Sequence, residues 1–327
     1  MKKLLVVLLI LAVAGGLFAQ GFTLGGVLKT GLSVKGDDVI VNHSGDDLNR
    51  LDLNGAYAAE DFGVKFGLRS DNVGGKAFTS QAIELYNAYV WVDLFGDMAN
   101  VKAGKIDDGV WGSGGDVDKG FGGGSGLRLE VTPIAGLNFG AIFTAGEDAA
   151  AATQTKLADF FAGAAVGAQY DVDAFRFAVA AKGFNSDIDL LFGLNLKMVP
   201  GLTANLDGAF YDMFDEGAIA INLGYAFAAN ARAGVVPRYE FAGSAGGEGN
   251  FADAVKVKVY GSYDINELFT AGIELPMTVS PSFVMDIVPK LTYKVGAGAT
   301  IDILDKIMGV GGNAITNQFQ IDFTYAF

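Results

Sequence analysis

Cysteine is absent from the 327-residue sequence, and the only histidine is His43. Without cysteine, disulfides, thiolate metal sites and thiol nucleophiles are excluded, and a lipid anchor on a processed cysteine is not expected. His43 is followed by Ser44, Asp46 and Asp47. Because the members of a catalytic triad normally come from separate elements, we interpret His43 as a solvated loop residue. We predict that the protein is not an enzyme.

Positive charge is also scarce, since 23 lysines and arginines stand against 37 acidic residues and the net charge is −14. Nucleic-acid binding needs clusters of basic residues, and the sequence has none, so we expect no nucleic-acid partner. Asp116 and Asp118 begin like a calcium loop, but Phe121 and Leu127 stand where such a loop needs glycine and glutamate. We expect no metal ion and no cofactor.

No apolar run reaches the roughly 18 residues from which a transmembrane helix is predicted. The longest run, residues 4–14, follows a start of the form Met-Lys-Lys and precedes two glycines. A basic start, a short apolar run and small residues are typical of a secretory signal peptide. We predict a signal peptide at 1–19, cleaved near Ala19, and a single domain at 20–327.

Proline is rare, at 6 residues, whereas glycine is abundant, at 47. From residue 22 onward, segments of about ten residues alternate polar and apolar side chains, with turn residues between them, which is typical of transmembrane β-barrels. About 18 such segments can be counted. We therefore predict an all-β fold: a closed antiparallel transmembrane β-barrel of about 16–18 strands. A soluble two-layer sandwich is the alternative.

Connection lengths provide a check on this fold. If the first strand leaves the periplasm, every second connection should be a short periplasmic turn and the longer loops should be extracellular. The connections predicted to be short are 59–61, 94–98, 133–136, 172–174, 200–201, 228–231, 264–267 and 295–298. In two of them, Pro133 and Pro200 begin the turn, because proline fixes φ and does not fit a central strand.

One segment, 82–93, has two apolar faces. We predict that Tyr86, Ala88, Val90 and Val92 face outward. The opposite register, which contains Leu85, Tyr89 and Trp91, is apolar as well.

The last ten residues alternate strictly. Phe319, Ile321, Phe323, Tyr325 and Phe327 share one face, and Gln318, Gln320, Asp322, Thr324 and Ala326 share the other. This segment resembles the C-terminal strand by which bacterial outer-membrane β-barrels are recognised during assembly. The resemblance implies outer-membrane lipid and the barrel-assembly machinery as partners, with the strand that ends at Phe327 as the signal. The neighbour of this strand in a closed barrel should be the first strand, 22–34.

A barrel of 16–18 strands is too wide to be filled by its own side chains, so it leaves an aqueous channel. The polar faces of the predicted strands carry charges of both signs. The predicted pore-lining residues are Arg50, Lys65, Arg69, Lys102, Arg128, Glu130, Arg176, Lys182, Asp189, Asp207, Arg232, Arg238, Lys256 and Lys258.

The third external connection, after the fifth strand, is glycine-rich and contains Asp107, Asp108, Asp116 and Asp118. Its position resembles that of the constriction loop of general bacterial porins. The resemblance implies a porin that passes small hydrophilic solutes and ions by diffusion, assembled as a homotrimer, with these four acids facing a basic wall. A solvated extracellular loop is the alternative for these acids. A surface adhesin or structural barrel without an open pore is the alternative for the protein.

Overall fold

The structure is a computed structural model. It describes residues 22–36, 38–41, 43–44, 47–48, 50–71, 83–106, 111, 117, 124–144, 161, 164–184, 188–242, 253–296, 298–312 and 314–327. The signal peptide predicted at 1–19 lies outside these residues. The four acids predicted for the constriction loop, Asp107, Asp108, Asp116 and Asp118, lie outside them as well.

Strands dominate the described chain. Their bounds are β1 Phe22–Lys35, β2 Asp38–Val41, β3 His43–Ser44, β4 Asp47–Leu48, β5 Arg50–Ala58, β6 Phe62–Asp71, β7 Glu84–Leu94, β8 Ala99–Ile106, β9 Gly124–Ile134, β10 Leu137–Thr144, β11 Ala165–Asp171, β12 Phe175–Lys182, β13 Asp189–Leu196, β14 Leu202–Tyr211, β15 Glu216–Ala228, β16 Ala231–Phe241, β17 Ala254–Asp264, β18 Phe269–Ser280, β19 Val284–Gly296, β20 Ala299–Val310 and β21 Thr316–Ala326. In the described ranges, no helix is long and apolar enough to cross a membrane.

Strands β1 and β5–β21 form a closed antiparallel barrel of 18 strands. From β5 onward each strand pairs with the next, and β1 pairs with β5 on one side and with β21 on the other. The short strands β2–β4 belong to the connection between β1 and β5. The predicted barrel and its strand number are confirmed, and the soluble sandwich is wrong because the sheet closes on itself.

The closing seam brings the two ends of the barrel together. The antiparallel pairing of β1 with β21 extends from the pair Val27 and Ala326 to the pair Lys35 and Gln318. Beyond that ladder, Gly26 and Phe327 exchange two backbone hydrogen bonds of 2.8 and 3.1 Å. The predicted pairing of the last strand with the first is confirmed.

Connection lengths alternate around the barrel as predicted. The connections predicted to be short contain two to five residues, as at 59–61 and 135–136. The connections that alternate with them include the long ones at 36–49, 107–123 and 145–164. One detail is wrong: Pro133 lies inside β9, which continues to Ile134, so the turn consists of residues 135–136.

The two faces of the sheet differ in exposure. Ala178 and Ala180 on β12 are fully buried, whereas Phe177, the residue before Ala178, is 42% exposed. The interior of a closed barrel is concave, so side chains that point inward lose more contact with solvent than those that point outward. We therefore assign the face of Ala178 to the interior. The residues paired with this face on the neighbouring strands are assigned to the interior as well.

Strand β7 shows why its facing was ambiguous. A β-bulge separates the pair Gly67 and Asn87 from the pair Leu68 and Leu85, so Tyr86 is an extra residue opposite β6. The ring of Tyr86 turns inward and covers Gly67, where an added Cβ would lie 2.5 Å from it. The outward prediction for Tyr86 is therefore wrong.

Candidate functional site

Charged side chains on the interior face form ion-pair groups, and the first joins β5 to β6. Asp52 lies between two arginines: Nε of Arg50 is 2.8 Å from Oδ2, and Nε of Arg69 is 2.9 Å from Oδ1. The guanidinium of Arg69 stacks over the ring of Tyr86 at 4.2 Å, and the Tyr86 hydroxyl donates to Asn54. Because one carboxylate holds two guanidinium groups, this group is net positive and rigid.

A second group lies on β8 and β9. Arg128 is only 2% exposed, and its Nη2 is 3.4 Å from Oε2 of Glu130. Nζ of Lys102 is 3.9 Å from the same oxygen. The ammonium groups of Lys65 and Lys102 each lie 5.7 Å from the centroid of the Tyr89 ring, which is within cation–π range. This group also carries more positive than negative charge.

On β11–β14 the charges are more nearly balanced. Lys182 and Asp189 face each other across β12 and β13, with Nζ 3.3 Å from Oδ2. Arg176 donates from Nη2 to Oε1 of Gln169 at 2.6 Å. Asp207 is buried on the interior face of β14.

A further group lies on β16 and β17. The buried carboxylate of Glu240 forms ion pairs with Arg238, whose Nε is 2.7 Å from Oε1, and with Lys256, whose Nζ is 2.6 Å from Oε2. Arg232 and Lys258, on the same two strands, form no ion pair with any acid of the described residues. The register places Arg232, Arg238, Lys256 and Lys258 on the interior face of these two strands.

The third external connection reaches this interior through Trp111. The indole is 1% exposed and donates from Nε1 to Oδ1 of Asn138 on β10 at 3.0 Å. It packs in one cluster with Ala178, Ala180, Leu191, Ala209 and Tyr211. Val117, the residue between Asp116 and Asp118 in sequence, packs against the same cluster.

Small residues on the wall make room for this indole. A Cβ at Gly140 would lie 2.4 Å from the Trp111 ring, and one at Gly167 would lie 2.1 Å from it. Gly140, Gly167 and Ala180 are register partners on β10, β11 and β12. Any larger side chain at either glycine would displace the ring, so the sequence of the wall and the tryptophan of the loop fit each other.

Our sequence reasoning missed Trp111, Asn138 and the two glycines. A signal was present, because glycine inside a strand often marks close approach of another group. Local periodicity, however, does not tell which distant side chain fills such a space. In the ranges that the structure describes, no group of three or more His, Asp or Glu side chains could hold a metal ion.

Comparisons with known proteins give matches in structure alone. No protein-family model and no curated protein matches the sequence. Among solved structures, a five-substitution mutant of the Rh. blastica porin matches with a TM-score of 0.58 and 13% identity, over 94% of this chain and 100% of that one. The chain has the porin fold. A triple mutant of the Rhodopseudomonas blastica porin matches over the same shares, with a TM-score of 0.52 and 16% identity.

At such identities the likeness covers the porin fold and not the roles of single side chains. Within its porin fold, the wall of β10–β14 is the part that receives the third external connection.

Proposed function

We propose that the protein is an outer-membrane porin, a channel through which small hydrophilic solutes and ions diffuse passively. The observation that carries this proposal is the position of Trp111. Because Trp111 and Val117 pack against one wall of the barrel interior, we infer that their connection narrows the lumen without filling it.

The distribution of charge supports the same function. Ion-pair groups with excess positive charge line β5–β9 and β16–β17, while the acids predicted for the constriction loop flank Trp111 and Val117 in sequence. Charges of opposite sign on facing sides of an aqueous lumen favour polar solutes and tune ion selectivity. One solved structure with the same fold, at 14% identity, is described as "Asymmetric conductivity of engineered proteins".

The outer face supports a place in a lipid bilayer. Large apolar side chains such as Phe62, Val90, Phe177 and Tyr225 are exposed on it, and aromatic residues favour the membrane interface. We propose that the mature chain, after cleavage near Ala19, lies in the bacterial outer membrane. We also propose that the strand ending at Phe327 is the one that the assembly machinery recognises, and that three copies associate, as in general porins.

A liposome-swelling assay tests the proposed function. Purified protein is reconstituted into liposomes, which are then diluted into isosmotic solutions of uncharged sugars of increasing size. We expect fast swelling with small sugars and a decline as the sugars approach the width left by the docked loop. Liposomes without protein and liposomes with heat-denatured protein serve as controls. Swelling no faster than in these controls would contradict the proposal and favour a blocked structural barrel or adhesin.

A further inference from the structure

The interior wall contains a recess on strands other than those that contact Trp111. It has a volume of about 820 Å³ and is formed by β15–β20. Two smaller recesses adjoin it and share lining residues with it. One shares Arg232 and Thr292, and the other shares Lys258 and Asp286. The large recess is therefore reached along the wall from both directions.

The floor of the recess is a row of register partners. Arg232 on β16 faces Ser262 on β17, Ser262 faces Gly272 on β18, and Gly272 faces Lys290 on β19. Three strand spacings separate Arg232 from Lys290, which is roughly 14 Å between Cα atoms. Two small residues thus lie between two cationic ones, and the gap between them is open to the lumen.

Hydrogen-bond donors point into this gap. Nε of Arg232 donates to Oγ of Ser262 at 2.9 Å, which fixes the guanidinium plane and leaves both Nη groups and the Ser262 hydrogen for another acceptor. Lys258 lies two register rows away on the same face, beyond Tyr260, where it faces Pro276. Neither Arg232 nor Lys258 is paired with an acid of the described chain. Lys290, in contrast, is held by Asp302 at 2.9 Å.

Acceptors surround the donors. The hydroxyls of Thr270 and Thr292 donate to Asp264 and Asp302 at 2.5 and 2.6 Å, so their oxygens remain available only as acceptors. Glu274, exposed on the neighbouring register row, is a further acceptor. Cationic donors at the centre and neutral or anionic acceptors at the edge match a solute that carries one acid group and several hydroxyls.

We propose that this recess is a solute-binding site for small hydroxylated oxyanions, such as sugar acids or sugar phosphates. The acid group lies over Ser262 and Gly272 beside the Nη groups of Arg232, with Lys258 as a more distant positive charge two register rows along β17. The hydroxyls of the solute donate to Glu274 and the threonines. The site lies on β16–β19, away from the wall that receives Trp111. It rests on the proposed channel function, because solutes reach it through the lumen.

Gly272 offers a variant that fills the site without disturbing the fold. A Cβ at this position would meet only the carbonyl oxygen of Gly261, at 3.6 Å, which is ordinary contact. Gly272→Gln therefore places a neutral side chain in the gap between Arg232 and Lys290. Gly261→Ala is the matched control, because Gly261 is the adjoining glycine on the outer face and its Cβ would also meet nothing closer than 3.6 Å.

The test measures block of single-channel chloride current by gluconate, with glucose as the uncharged comparison and glucose 6-phosphate as the phosphate counterpart. We expect gluconate to block and glucose not to block at equal concentration. Removing the nearer charge, in Arg232→Gln, should raise the half-blocking concentration about fourfold, from Coulomb attraction across about 5 Å of water, and Lys258→Gln should raise it less because its charge is more distant. Gly272→Gln should abolish block, and Gly261→Ala should leave it unchanged.

A second control separates the site from the general charge of the lumen. Lys65→Gln removes the same charge from β6, and the half-blocking concentration of gluconate should not move. Equal block by glucose and gluconate, or equal shifts in Lys65→Gln and Arg232→Gln, would overturn the inference. Block by gluconate and by glucose 6-phosphate supports a general oxyanion site. Block by only one of them shows whether the site binds a carboxylate or a phosphate.

Calorimetric titration of gluconate into protein in detergent tests the site without current. Heat of binding in the wild type that is lost in Gly272→Gln supports the site even if the proposed channel function fails. Channel currents without gluconate binding would leave the porin proposal intact and overturn this inference.

Discussion

Replacing Trp111 by alanine removes the contact that fixes the third external connection to the barrel wall. The indole is 1% exposed, it packs in a cluster that includes Ala178, Ala180 and Leu191, and its Nε1 donates to Asn138 at 3.0 Å. We expect the variant to form the barrel, because no strand pairing involves Trp111. The connection, however, loses its anchor in the lumen.

The size of the effect follows from the contacts. Truncation of a buried tryptophan costs about 3–5 kcal/mol, and the loss of its hydrogen bond leaves Asn138 with one acceptor unfilled. Taking 3 kcal/mol as the loss, the ratio of undocked to docked connection rises roughly 150-fold, since each 1.4 kcal/mol is a factor of ten. Single-channel current in Trp111→Ala should accordingly be larger on average and should fluctuate between levels.

A second variant tests the same contact from the wall. Gly167→Val leaves the connection unchanged, but a Cβ at Gly167 would lie 2.1 Å from the indole. Valine suits a strand, so the barrel should assemble while the indole is displaced. In a Trp91→Phe background, Trp111 is the only tryptophan. Its fluorescence emission should shift to longer wavelength in Gly167→Val, with acrylamide quenching increased.

The two readouts should change together. Currents in Trp111→Ala and Gly167→Val that are as steady as those of the wild type would refute the anchoring role of Trp111. So would an emission maximum that does not move in Gly167→Val. Gly261→Ala, on the outer face, is the control for the effect of altering a strand glycine.

Two further predictions concern the seam and the loop. Gly26→Leu should prevent closure, because a Cβ there would lie 2.4 Å from the Asp52 carbonyl oxygen and 2.7 Å from the Phe327 ring. Deletion of Phe327 should have the same result, seen as loss of the heat-modifiable folded band on gels while export continues, and normal assembly of either variant would contradict it. Neutralising Asp107, Asp108, Asp116 and Asp118 to asparagine should shift the reversal potential in a salt gradient toward anions. An unchanged potential would show that these acids lie outside the ion path.

The barrel itself could be predicted because its rules are local and repeated. Alternation at period two distinguishes the two faces of each strand, as in the last ten residues, and short turns at every second connection fix the order of the strands. Closure then follows from the pairing of neighbours in sequence. The same alternation predicted the polar face for Arg50, Asp189 and Lys258, because other polar residues of the same segments share that face.

Irregular backbone limited the prediction elsewhere. The bulge in β7 adds one residue, Tyr86, and reverses its facing, yet no residue in 82–93 signals a bulge by type. Pro133 was assigned to a turn because proline lacks a backbone donor, but it fits the second-last position of β9. In both cases the local backbone structure is determined by pairing with the neighbouring strand.

Contacts between a loop and a distant wall could not be predicted. Trp111 is separated from Asn138 by 27 residues and from Leu191 by many more, so no local pattern joins them. The pairing of Arg238 and Lys256 with Glu240 was not predicted either, although Arg238 and Lys256 were both predicted to line the pore. Which cations have no acidic partner among the described residues, as is the case for Arg232 and Lys258, follows from geometry across strands.

Single-channel current in planar bilayers tests the central claim most directly. Purified wild-type protein, added at low concentration to a membrane in potassium chloride, should give stepwise current increases of uniform size that remain open at low voltage. The steps should be absent when the protein is heat-denatured before addition. A folded barrel that inserts into the membrane, as shown by protease protection, and yet gives no steps would contradict the account of an open channel narrowed by the Trp111 connection.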